Sequence, residues 1–128
     1  MLDIDKITQI TAKHIFYNGE RLKMDEKQLF EIMVVAMELR NSFSHIIPVM
    51  RDEYERALQI LNTMRRIPEA KFYAGISPAN LDDFGDFLKV VEYAGYVDGI
   101  RTALNTLYNK RGHCDKIFNQ AKRVYDSL

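Results

Sequence analysis

The sequence predicts an all-α protein, a compact bundle of about five helices forming a single domain over residues 1–128. Two observations carry that expectation. Apolar residues recur at three- and four-residue steps along most of the chain, and no stretch shows the alternation expected of strands. Hydrophobic residues make up 47% and charged residues 28% of the sequence, the balance of an ordinary globular protein.

The elements follow in order. Leu2, Ile4, Ile7, Ile10, Thr11, His14 and Ile15 mark a first amphipathic helix that ends at Asn18-Gly19, with Gly19 taking the left-handed C-terminal position. His14 beside this stripe reads as a partly buried structural histidine rather than a ligand. Asp25 is the expected N-cap of the second helix, with Glu26 in its first turn and Gln28 at the capping-box position. From Leu29 to Leu39 only Glu31 and Glu38 interrupt the apolar residues, so this helix is expected to be buried on most sides, in a bundle or against a partner subunit.

Pro48 predicts a joint, because it lacks an N–H and disfavours helical geometry at Ile47. A third helix, Val49 to Ile67, carries Met50, Tyr54, Ala57, Leu58, Leu61 and Met64 on its stripe and stops at Pro68. Pro68 to Ser77 reads as a loop with Phe72 and Tyr73, and Ser77-Pro78 as the start of a helix that either bends near Gly95 or continues to Tyr108, with continuation through a kink the preferred reading. Asn109 to Gly112 reads as a turn before a last helix, Cys114 to Leu128.

The 18 basic and 18 acidic side chains cancel, so the chain has no global field to gather nucleic acid, and any such contact must come from a local patch. Arg65 and Arg66 suit a helix terminus, with a phosphate contact the lesser reading. Lys110, Arg111, Lys122 and Arg123 read either as partners of the acidic segment Asp82 to Asp98 or as a strip tracking RNA. The single cysteine, Cys114, excludes an internal disulfide, and the start Met1-Leu2-Asp3-Ile4-Asp5 lacks the pattern of a signal peptide. No apolar run approaches the length of a membrane span, so an intracellular, cytoplasmic protein with no membrane association is expected. Histidine and cysteine do not recur at zinc-ligand spacings, and no glycine-rich phosphate loop or nucleophile elbow is present.

The segment that carries chemistry is Glu38-Leu39-Arg40-Asn41-Ser42-Phe43-Ser44-His45. Arg40 is a permanent cation with a planar donor fork that fits phosphate oxygens. His45 suits proton transfer near neutrality, and Asn41 can cap a helix or donate to an oxyanion. The same residues also suit a polar joint between helices, with His45 solvated and Asn41 as a cap. In an unbroken helix Arg40 and His45 would stand about 140° apart around the axis.

Arginine, asparagine, three residues and histidine in a helical setting resembles the signature of the HEPN superfamily. Many of its all-helical members are metal-independent ribonucleases of toxin–antitoxin, abortive-infection and RNA-targeting CRISPR systems. The resemblance implies endonucleolytic cleavage of an RNA substrate by its own 2′-hydroxyl, with no metal and no cofactor. It implies His45 as general acid or base, Arg40 on the phosphate and Asn41 orienting the pair, while Glu38 reads either as a support fixing Arg40 or as a solvated carboxylate. It also implies a composite site built by a homodimer or a partner protein. Two further readings stand beside it: a non-catalytic helical interaction module (antitoxin, inhibitor or complex subunit), and a nucleic-acid-binding module using the basic C-terminal helix.

Overall fold

The computed structural model describes residues 2–73 and 81–128, with side chains for 2–66 and 88–128. The element order corrects the all-α, five-helix expectation. A single 3-10 turn, Ile4–Lys6, leads into three strands, β1 (Ile7–Ile10), β2 (His14–Tyr17) and β3 (Glu20–Lys23), followed by two long helices, α1 (Glu26–Tyr73) and α2 (Leu81–Asp126). The strands form one antiparallel sheet in the order β1-β2-β3.

The segment expected to be the first helix is therefore a meander, and two local features explain the misreading. The β1–β2 register shifts between Ile7 and Gln9. A bulge of this kind inserts an extra residue, so Ile7 and Ile10, three apart, are both buried and imitate a helical stripe. Asn18-Gly19 is a hairpin turn rather than a helix end. Tyr17 pairs with Glu20 around it, and both central residues have positive φ, 52° and 83°. Two consecutive left-handed residues make the type I′ turn that matches strand twist.

Asp25 does cap α1, its Oδ1 accepting the Lys27 N–H at 3.0 Å. The helix then runs unbroken through Pro48 and Pro68, so neither the joint at the first nor the stop at the second forms. Pro48 cannot donate to the Ser44 carbonyl, yet both residues are exposed and water can take that carbonyl. Burial of Ile47 beside it, and of Ala57 and Leu61 further on, holds the helix through the defect. The expected loop overlaps α1 up to Tyr73, and the Ser77-Pro78 helix start lies outside the described residues. The turn expected at Asn109 to Gly112 is absent as well, because α2 is continuous from Leu81 to Asp126.

The chain falls into two compact units, one made of Met1–Ile47 with Thr106–Leu128 and the other of Pro48–Asn105. In the first, Ile4, Ile7, Ile10 and Ile15 pack on Leu29, Ile32 and Ala36 of α1 and on Cys114, Ile117, Ala121 and Val124 of α2. Two side chains of α2 also bond the N-terminal backbone. Gln120 Oε1 accepts the Ile10 N–H at 2.8 Å, and His113 Nε2 lies 3.0 Å from the Ile4 carbonyl. A carbonyl only accepts, so His113 carries its proton on Nε2 there. Lys110 adds a looser pair with Asp5 at 3.8 Å.

In the second unit Ala57 and Leu61 of α1 pack on Val97 and Ile100 of α2. Glu53 lies between Arg56, at 2.7 Å, and the Tyr96 hydroxyl, at 3.1 Å. The Arg56 hydrogen bond, with help from Tyr96, holds the Glu53 carboxyl below its ordinary pKa, and the same contact with Glu53 raises that of Tyr96. Among the described residues no helix is long and apolar enough to cross a membrane.

Candidate functional site

Residues 38–45 lie in the first unit on the continuous part of α1. The face turned to the core carries Leu29, Ile32, Ala36 and Ile47, all buried, with Leu39 and Phe43 packed partly against it. The opposite face carries Phe30, Val34, Met37, Asn41 and His45, spaced four, three, four and four residues apart. Phe30 is 51% exposed and Met37 38%, while Asn41 and His45 are also exposed. Asn41 and His45 thus continue an apolar strip that faces water. Tyr125 of α2 flanks its first residue, with ring centroids 5.9 Å apart from Phe30.

Arg40 stands elsewhere. It sits at the flank of the core-facing side, where its Nη1 is 3.3 Å from Asp115 Oδ1 and its guanidinium carbon 5.2 Å from the Phe118 ring centroid. The unbroken helix leaves Arg40 and His45 about 140° apart around α1, so one chain does not bring the two together. Glu38 is exposed on the His45 side of α1, and among the described residues it makes no ion pair with Arg40. Asp115 and Phe118 were not visible as partners of Arg40 in the sequence, being 75 and more positions distant.

The other candidate cations are scattered. Arg65 and Arg66 are exposed, and Arg65 borders a cleft of about 240 Å³ in the second unit with Tyr54, Leu61, Val97 and Arg101. Lys110 is paired with Asp5, Arg111 lies over the Tyr108 ring at 5.2 Å, and Lys122 and Arg123 are exposed. The acidic segment expected to neutralise these residues lies on the same helix, α2. Arg101 instead pairs with Asp98 one turn away. Among the described residues no three His, Cys, Asp or Glu side chains converge as metal ligands would.

A second surface was hidden by the helical reading of residues 2–15. Directly opposed residues of an antiparallel pair share a face, and Ile15 with Leu22 faces the core. His14 with Lys23, and Phe16 with Arg21, therefore share the outer face. The Asn-Gly pair between Phe16-Tyr17 and Glu20-Arg21 was the signal that could have revealed it. No family model, curated protein or solved structure matches the chain.

Proposed function

We propose that this protein is an interaction module that pairs with a second copy of itself through the outer face of α1 between Phe30 and His45. The observation that carries the reading is the exposure of Phe30 and Met37 at helical spacing opposite the core. A contiguous apolar strip on a helix that already has a buried face of its own is the usual mark of a protein contact. The strip ends in Asn41 and His45, and a two-fold axis near that end would bring these residues of the two copies close together. Sedimentation velocity over a range of concentration tests this. A dimer at micromolar concentration is expected, and Phe30→Glu with Met37→Glu should return it to monomer with an unchanged circular dichroism spectrum. A wild-type chain that stays monomeric at high concentration would overturn the proposal.

One observation favours a second reading, the metal-independent endoribonuclease implied by the resemblance to HEPN proteins. Asn41 and His45 lie on the pairing face, so association would assemble a composite site that a single chain lacks. His45 would move the proton between the 2′-hydroxyl and the leaving oxygen. Arg40 stands about 140° away around α1 and is paired with Asp115, so it would have to leave that contact for its donor fork to reach the phosphate. Such an enzyme belongs to a cytoplasmic toxin or defence system. Cleavage of RNA in excess EDTA, abolished by His45→Ala, is the result it requires.

A further inference from the structure

The geometry points to a binding face for single-stranded nucleic acid on the outer side of the β-sheet, built from Lys13, His14, Phe16, Arg21 and Lys23. It does not rest on the pairing of α1. Lys13, Arg21 and Lys23 are exposed, and none forms an ion pair among the described residues. Ala12, Lys13, His14, Arg21, Lys23 and Met24 line a depression of about 620 Å³ with no acidic residue in its wall. The strand register sets the two rings among these cations: His14 opposite Lys23 and Phe16 opposite Arg21. The rings lie edge to face with centroids 6.3 Å apart, and both are partly exposed.

This combination selects its ligand. Three unneutralised cations attract phosphates, and they do so in a chain whose net charge is zero. Two aromatic rings on the same open face offer unpaired bases something to stack on, which a duplex with its bases turned inward cannot use. The open face of the sheet also lets an extended strand lie across it. An acidic peptide would satisfy the cations but leave Phe16 and His14 without a counterpart.

Fluorescence anisotropy with labelled twelve-nucleotide oligouridine, oligothymidine and a duplex of equal length tests the assignment on the full chain. Single strands should bind at micromolar concentration in low salt, more tightly than the duplex. Three phosphate contacts predict a slope of about −2 for log affinity against log salt. Arg21→Gln with Lys23→Gln should weaken binding at least about tenfold and bring the slope to about −0.7, the value for one remaining cation. Phe16→Leu should cost about five- to a hundredfold, the usual worth of a stacked base, while leaving the slope unchanged. Lys122→Gln with Arg123→Gln on α2 should change nothing. Tighter binding of the RNA or of the DNA strand identifies the source. No binding by the wild type, affinity unaffected by the sheet variants in correctly folded protein, or equal affinity for polyglutamate of the same length would each overturn the inference.

Discussion

Arg40 and Asp115, 75 positions apart in the chain, meet at 3.3 Å between α1 and α2. The residue expected from the sequence to hold a phosphate is, in the structure, a tie between two helices. With Arg40 32% and Asp115 44% exposed, solvent screens the pair. A double-mutant cycle with Arg40→Ala and Asp115→Ala should give a coupling below about 1 kcal/mol. Arg40→Ala alone should cost more, about 1–2 kcal/mol, because it also strips the guanidinium from the Phe118 ring. Urea denaturation of the four proteins measures both, and a coupling above about 2 kcal/mol would show the pair to be better shielded than its exposure indicates.

Gly19→Ala isolates backbone strain. Its φ of +83° disfavours an L side chain, yet an added Cβ would meet nothing within 4 Å. The expected loss is about 1–2 kcal/mol with no packing contribution. A neutral outcome in chemical denaturation would mean that the hairpin turn had changed type.

The Cys114 thiol is 1% exposed, and burial pushes its pKa up. A thiol reagent should label it slowly in the native protein and quickly after unfolding. The folded state holds this proton more tightly than the unfolded chain. Its stabilising contribution is therefore complete below the ordinary thiol range and is lost as pH rises through the elevated folded value. Cys114→Ala should remove that part of the alkaline slope, and an unchanged slope would assign it to other groups.

Tyr96 provides a second titration. Its hydrogen bond to Glu53 raises its pKa, so Glu53→Gln should lower the midpoint of its ultraviolet titration. The Glu53 carboxyl is held low, so its own contribution is present above the ordinary carboxylate range and fades as pH falls through the depressed value. A Tyr96 midpoint unmoved by the substitution would show that the contact does not persist in solution.

His45 is exposed, so His45→Ala should leave the melting temperature unchanged. If paired chains cleave RNA, the same change should reduce the rate by about two to four orders of magnitude, the usual worth of a positioned acid or base. Undiminished cleavage would remove His45 from the chemistry and leave α1 pairing as the function of the strip.

The parts legible in the sequence are those fixed by local chemistry. Asp25 announced the start of α1, and Leu29 to Leu39 supplied much of its buried face. The boundaries that failed were set by distant packing. Pro48 is tolerated because the helix is buried on one side and wet on the other, which no local signal at Pro48 reveals. Ile7 and Ile10 imitate a helix because a bulge turns both inward, and a bulge is defined by the partner strand. The sequence left open whether the helix breaks within the candidate segment. Only the continuity of α1 separates Arg40 from His45, and only the fold supplies Asp115.

The first unit joins residues 1–47 to residues 106–128, with the second unit lying between them in sequence. On a ribosome this imposes an order of assembly. The second unit is contiguous and can form while the chain is still being made. The sheet is synthesised first but lacks Cys114, Ile117, Ala121 and Val124, the α2 side of its core, until about 100 further residues have been added. At bacterial and eukaryotic elongation rates that wait lasts about 5–20 s. Throughout it Ile4, Ile7 and Ile15 have no α2 to cover them, and the nascent sheet is at its most exposed to chaperones, proteases and neighbouring chains.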